Sequence, residues 1–355
     1  MDRATSTTIW QLSSRKEQKQ PSTLLVLAEL LQELIGLLQK SASPLLLLGH
    51  QIKEQKLQLP LLTFAERYRV PFCTTVDAKG VVGERHPLFV GVLGLNKAPR
   101  IEQFIDSCDL VLILGAPPGA IEASSLFCSS QLLIGWDGTV AVGYHHYVAI
   151  SLLQLLQAMA ELKLNIRYRH DYPALIDWET SPWRPKEDHP IVLDRFIEAL
   201  QPYLTTETLL VAPMEGALAP ALQLVVEEGN FIGYKSSLPS TMASWPIQLR
   251  LAALPGKRAI FLVDRSSLRQ TDSSQLWAAV AATQDPIVLA CGGSDRAPLP
   301  QAKEERDPYR DFVALLLKGA VALPATDERE LDRSLCEAFN AEGKAIFIEV
   351  ELAKG

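Results

Sequence analysis

The sequence predicts an α/β protein built as two doubly wound parallel-sheet units. Three observations carry that expectation. Short continuous apolar runs recur along the chain, among them Leu45–Leu48, Leu110–Leu114, Leu209–Ala212 and Ala259–Val263, and such runs suit strands buried on both faces. Between them lie segments whose apolar residues fall at helical spacing, so strand and helix alternate. The alternation breaks once, between Asn165 and His189, and then resumes.

Residues 1–21 are polar and lack the apolar centre of a signal peptide, so they read as a mobile tail. The first unit is expected over residues 22–163. A helix over Leu24–Gln39 follows from Leu24, Leu27, Leu30, Leu31, Leu34, Leu37 and Leu38. After Ser41-Ala42-Ser43-Pro44 comes a strand, Leu45–Leu48, closed by Gly49. Pro60–Tyr68 reads as a helix, with Pro60 suited to the first helical position. Val70–Thr75 reads as a strand, Ile101–Cys108 as a helix, and Leu110–Leu114 as a strand closed by Gly115. Gln131–Gly135 supplies a further strand, and Tyr147–Leu162 a long helix. Trp136-Asp137-Gly138 reads as a turn.

Residues 164–189 are rich in Pro, Trp, Asp and Arg without a clear period, which marks an interdomain linker. The second unit is expected over residues 190–355. Its elements are a helix at Val192–Leu204, a strand at Leu209–Ala212, a helix at Ala217–Glu227 and a strand at Ala259–Val263. A helix around Trp277, a strand at Pro286–Ala290, helices at Asp311–Lys318 and Glu328–Asn340, and a closing strand at Ala345–Val350 complete it. No solenoid-type repeat is visible.

Composition narrows the function classes. The 355 residues suit two domains, and 48% hydrophobic with 21% charged residues describes a soluble protein with ample core. A net charge of −7, with no basic run beyond Arg15-Lys16, argues against a nucleic-acid surface. No apolar run approaches a membrane span, and a cytoplasmic location is expected. Cys73, Cys108, Cys128, Cys291 and Cys336 are scattered without a Cys-x-x-Cys pair, so reduced, mostly buried thiols are expected rather than a disulfide or zinc framework.

Several motifs bear on chemistry. In the first unit they are Pro44 with Leu45–Gly49, Pro71, Ala78-Lys79-Gly80, His86-Pro87-Leu88-Phe89-Val90-Gly91 and Asp109–Gly115. In the second they are Gln275-Leu276-Trp277-Ala278-Ala279, Asp311-Phe312 with Lys318-Gly319, and Ala345-Ile346-Phe347-Ile348-Glu349-Val350. Together these resemble the middle and C-terminal domains of thiamine diphosphate-dependent 2-oxo acid decarboxylases, of the benzoylformate decarboxylase type. The resemblance implies two α/β domains, the second of the diphosphate-binding type. It also implies that the family's N-terminal domain, roughly 150 residues long, has no counterpart here. In the family that domain supplies a Glu that hydrogen-bonds the cofactor pyrimidine and drives ylid formation.

Against the resemblance stand departures at the cofactor motif. Family members carry Gly-Asp-Gly after the strand that here is Ala259–Val263, and the Asp holds magnesium. This chain has Asp264-Arg265-Ser266 or Arg265-Ser266-Ser267 there, depending on register. About 28 residues on, where the family has Asn-Asn, stand Gly292 and Gly293. Asparagine supplies a hard oxygen ligand and glycine supplies no side-chain ligand. The glycine-rich turn before Leu-Pro reads Ser240-Thr241-Met242-Ala243-Ser244-Trp245-Pro246, bulkier than a backbone that approaches a diphosphate allows.

Other residues weigh less. Asp264 lies at a strand's carboxyl end, the usual ligand crevice of such sheets, and a capping role is favoured over metal binding. Arg265 could meet a phosphate, but reads first as a surface or interdomain ion pair. Glu215 follows the Leu209–Ala212 strand where the family tends to place a Glu, without small hydroxyl neighbours at Ala217 and Leu218. His145-His146 has no third ligand at useful spacing, and reads as partly exposed structural residues before a helix. Gly115-Ala116-Pro117-Pro118-Gly119-Ala120 is not Gly-x-Gly-x-x-Gly, so dinucleotide binding is not supported. No catalytic, cofactor-binding or metal residue is therefore assigned.

The expectation is a non-catalytic relative of the decarboxylases, binding no cofactor and acting as a partner, regulatory or scaffold subunit. It would form a homodimer or a hetero-complex with a thiamine diphosphate enzyme or its N-terminal domain. The alternative is the diphosphate- and magnesium-binding subunit of a split thiamine diphosphate-dependent lyase or decarboxylase, with Asp264, Ser266 and Ser267 as ligands. A third possibility is a binding module for another anionic ligand, anchored by Arg265.

Overall fold

A computed structural model describes residues 23–93, 104–117, 131–168, 183–214, 216, 218–234, 256–265, 279–293 and 321–353. They form two sheets with helices packed on both faces, the doubly wound α/β arrangement expected from the sequence.

The first unit begins with α1 (Thr23–Lys40), which buries Leu30, Leu34 and Leu38, one residue per turn along a single stripe. It leads into β1 (Pro44–Leu48), buried at every position. Next come α2 (His50–Glu54), α3 (Gln58–Tyr68), β2 (Phe72–Thr75) and β3 (Phe89–Leu93). β4 (Leu110–Leu114) and β5 (Gln131–Trp136) follow, then β6 (Thr139–Val142), β7 (His145–Val148) and α4 (Leu152–Glu161). The sheet order is β3-β2-β1-β4-β5-β6-β7, parallel as far as β5 and antiparallel beyond. Alternation along β1 sends Leu46 and Leu48 into one core and Leu45 and Leu47 into the other.

The second unit holds α5 (Leu193–Leu200), β8 (Thr208–Pro213), β9 (Phe231–Tyr234), β10 (Arg258–Asp264), β11 (Ile287–Gly293), β12 (Val321–Ala325), α6 (Glu328–Asn340) and β13 (Ile346–Leu352). Its sheet is parallel throughout, in the order β12-β13-β11-β10-β8-β9. Ile260 and Leu262 of β10 face one core, and Ala259, Phe261 and Val263 face the other.

Two expected helices are replaced. Tyr147–Leu162 is not one helix: its start is β7, and α4 begins only at Leu152. Asp137 (φ 47°) and Gly138 (φ 72°) turn β5 tightly into β6, and Gly143 (φ 55°) helps turn β6 into β7. A capping box then starts α4, with Ser151 Oγ accepting from Gln154 N at 3.2 Å and Gln154 Oε1 accepting from Ser151 N at 3.0 Å. His145 and His146 thus lie on a strand, not on a helix approach. Ala217–Glu227 is likewise not an α-helix. Ala219–Gln223 forms a 3₁₀ turn with a proline in its first positions. Beyond it, the Gln201 amide captures both backbone groups of Val225, at 2.8 and 3.0 Å, so they are not available to a continuing helix.

The tail, residues 101–103 of the Ile101–Cys108 helix, Trp277 itself and the Asp311–Lys318 helix lie outside the described residues, while residues 104–106 are helical as expected. Both described ends of the expected linker are fastened. Tyr168 donates its backbone N–H to Tyr68 and its hydroxyl to the Leu38 carbonyl. At the other end Trp183 donates to Asp332 at 2.8 Å and carries the Arg195 guanidinium over its ring at 4.2 Å.

Candidate functional site

In an open parallel sheet, ligands collect outside the carboxyl ends of the strands where the strand order reverses. In the second unit that reversal falls between β8 and β10, since β9 lies on one side of β8 and β10 on the other. The crevice is bounded by Met214 and Gly216 after β8, by Asp264 and Arg265 at the end of β10, and by Gly292 and Gly293 at the end of β11.

Register brings these residues together. Asp264 stands opposite Cys291, and Arg265 N donates to the Cys291 carbonyl at 2.8 Å. The Arg265 side chain runs over Gly292: a Cβ built there would lie 2.8 Å from Arg265 Cδ and 2.9 Å from its Cβ. The guanidinium ends in an ion pair with Glu349 of β13, 2.7 Å away. The ion pair expected of Arg265 exists, but it closes within the second unit and does not reach the first. Cys291 is fully buried; burial pushes its thiol up, and the Asp264 charge adds to that push. It stays a protonated thiol, a poor metal ligand.

Thiamine diphosphate with magnesium demands hard oxygen donors around the cation. The described residues do not provide that set. Asp264 brings one carboxylate, but Gly292 has no side chain, Cys291 has a buried thiol, and Glu349 is engaged by Arg265, which itself brings a fixed positive charge. Among the described residues no group of three or more His, Cys, Asp or Glu side chains could hold a metal. Glu215, Ser266, Ser267 and Ser240–Pro246 lie outside the described residues.

The first-unit motifs prove to be packing devices. Lys79 and Glu84 are buried side by side, Nζ to Oε2 at 2.6 Å. Burial lowers the Lys79 pKa and raises that of Glu84, and each opposes the other's shift through its charge. Gly80 has φ +70°, and a Cβ there would approach Phe231 Cβ of β9 at 2.9 Å. His86 accepts from Leu88 N at 3.1 Å through Nδ1, which leaves Nε2 to donate to Glu66, also at 3.1 Å.

At the first sheet's own reversal, between β1 and β4, the backbones of Gly49 and Gly115 meet so closely that a Cβ on Gly49 would overlap the Gly115 carbonyl. The crevice there carries His50, 3.0 Å from Asp77 and packed edge-on against Trp136. Sequence reasoning passed over both His50 and Asp77, although each lies two residues past a strand end. His145 pairs at 3.1 Å with Glu33, whose carboxylate also accepts from Tyr147 at 2.6 Å. Burial would raise the Glu33 pKa, but these bonds outweigh it and lower it. That closes His145 into a structural cluster and leaves it no metal role.

Comparison with known proteins agrees with this geometry. Residues 31–139 match the family model for the thiamine pyrophosphate enzyme central domain. Indole-3-pyruvate decarboxylase of Azospirillum brasilense is 23% identical over 352 residues, 93% of this chain and 62% of that protein. Pyruvate decarboxylase 4 of Arabidopsis thaliana is 21% identical over 245 residues, covering 66% and 40%. The 3D-(3,5/4)-trihydroxycyclohexane-1,2-dione hydrolase of Geobacillus thermodenitrificans is 26% identical over 154 residues, covering 43% and 22%. The chain therefore spans less than two thirds of each of these relatives. Residues 31–139 are thus similar to that family's central domain, and the two mostly parallel sheets with interleaved helices are consistent with its middle and C-terminal domains.

Proposed function

We propose that this chain is a non-catalytic relative of the thiamine diphosphate-dependent decarboxylases, serving as a partner, regulatory or scaffold subunit. One arrangement carries the reading: Arg265 lies over Gly292 and is held by Glu349. A protein-borne cation then sits where the family's motif holds a divalent ion, and like charges at such range repel. The altered turn Ser240–Pro246 and the Gly292-Gly293 pair point the same way.

Such a subunit keeps the fold and the faces through which these domains associate. It works as a homodimer, or in a hetero-complex with an active homologue or a separately encoded N-terminal domain. The described cysteines carry no disulfide, which suits a reducing, cytoplasmic setting, and no described helix is long and apolar enough to cross a membrane.

Calorimetric titration with thiamine diphosphate and magnesium, paired with a thermal melt, tests the reading. A ligand at 100 times its Kd stabilises a fold by about 2.7 kcal/mol, so binding is easy to see. The expected result is no heat and no shift at millimolar ligand. Magnesium-dependent binding would overturn it and favour the split-enzyme subunit, with Asp264, Ser266 and Ser267 as ligands. Light scattering at micromolar concentration tests the assembly, where a clean monomer that also fails to bind either proposed partner counts against it.

A further inference from the structure

We infer that Lys79 and Glu84 form a latch through which the first unit fixes the β8–β9 connection of the second, so that the two units open and close as one body. The latch is independent of whether the second unit binds a cofactor. Both residues belong to the loop between β2 and β3, with side-chain exposures of 1% and 2%. Apart from their mutual bond and the Gly80 amide beside the Glu84 carboxylate, each reaches backbone of the second unit. Lys79 Nζ donates to the Leu224 carbonyl at 2.7 Å, and Glu84 Oε2 accepts from Val226 N at 3.1 Å.

Backbone continues the seam. Glu84 N donates to the Val226 carbonyl at 3.0 Å, and Gly229 N to the Gly80 carbonyl at 2.8 Å. Lys53 of α2 bridges the Lys79 carbonyl at 3.2 Å and the Phe231 carbonyl at 2.8 Å. At the rim, Arg85 pairs with Glu227 at 2.9 Å. Leu224 and Val226 thus obtain, from another unit, partners that a continuing helix would have supplied internally, and Gly229 and Phe231 are tied to the same unit.

The energetics make this a two-position device. Two ions buried this deeply gain little over solvated ones unless every bond is in place. Glu84 Oε1 already lacks a hydrogen-bond partner, so small displacements of the seam, which lose the carbonyl and amide partners together, leave a dry ion pair still less satisfied. The seam is therefore stable when fully closed or when open enough for water. The connection it grips also reaches the crevice. Its first residue beyond β8, Met214, packs against Gly233 of β9, where a Cβ would meet the sulfur. Closing the seam therefore sets the wall of that crevice.

Hydrogen exchange and calorimetry on the full chain test the latch. The wild type should unfold in one calorimetric transition, with the Val226 and Gly229 amides exchanging together. Lys79→Met should cut protection at both amides by roughly a hundredfold and split the transition in two. If that variant does not fold, Lys79→Met/Glu84→Leu removes both charges and their desolvation cost. It should fold, yet still lose protection at Val226, whose acceptor is gone, and at Gly229, which makes no bond to either side chain. One transition with wild-type protection at both amides in the double variant would overturn the inference. So would loss at Val226 alone, the mark of a local bond.

Discussion

Arg265 and Gly292 share one volume: the stem of the arginine lies where any side chain at position 292 would start, with Cδ 2.8 Å from the Cβ position. The two departures from the family motif are thus one event in space. An arginine fits here because the facing residue is glycine, and Glu349 receives its charge at 2.7 Å.

Gly292→Asn should therefore destabilise the fold by about 1–3 kcal/mol, the usual cost of overpacking. Arg265→Gly in the same chain should recover most of it, giving a strongly non-additive pair. Urea melts of the two single variants and the double read this directly. Additive effects would mean that the two residues do not compete for space.

Glu328 gives a pH prediction. Its side chain is fully buried, at 0% exposure, and accepts from Arg195 through both oxygens, 2.8 and 2.7 Å away. Those bonds, opposed by burial, lower its pKa below 4.5 in the folded state. A depressed carboxylate adds stability above its unfolded pKa and loses it as pH falls through the folded value. Glu328→Gln should cost about 1–3 kcal/mol at pH 7, and the gap to wild type should shrink steadily below pH 4.5. Urea midpoints across that range check the sign.

Thiol reactivity follows burial. Burial pushes Cys73 and Cys291 well up, and Cys108 to about 11, whereas Cys336 is exposed. A disulfide reagent followed by peptide mapping should label Cys336 in the native protein, and Cys73, Cys108 and Cys291 only after denaturant. Native labelling of Cys291 would open the crevice to solvent and weaken the case against metal binding.

Legibility tracked burial. The strands named from apolar runs, such as Leu110–Leu114, are buried on both faces and write that burial into consecutive residues. β7 is largely exposed and β12 carries Pro324 with alternating exposure, so neither leaves such a run. At the candidate site, spacing along the sequence singled out Asp264, Arg265 and Gly292. Glu349 could not be found that way, because only the β11–β13 pairing brings it to Arg265. Lys79-Gly80 was visible as a motif, but its purpose depends on Leu224 and Val226, in a segment whose apolar residues imitate a helix.

The helix misread at Tyr147–Leu162 supplies the last test. Apolar spacing there is continuous, so periodicity sees one element, yet Ser151-x-x-Gln154 is a start signal inside it. Ser151 has extended backbone, φ −70° and ψ 149°, and satisfies an amide that a longer helix would have bonded internally. If the signal sets the boundary, Ser151→Ala should cost about 1 kcal/mol by loosening the first turn of α4. Exchange should rise at the Gln154 amide, which loses its hydroxyl acceptor, while Leu155, bonded to the Ser151 carbonyl at 3.1 Å, should change less. If the variant were instead more stable and gained protection from His146 through Ser151, the β7 strand would be a weak competitor of the helix, and the periodicity would have been right about the intrinsic preference.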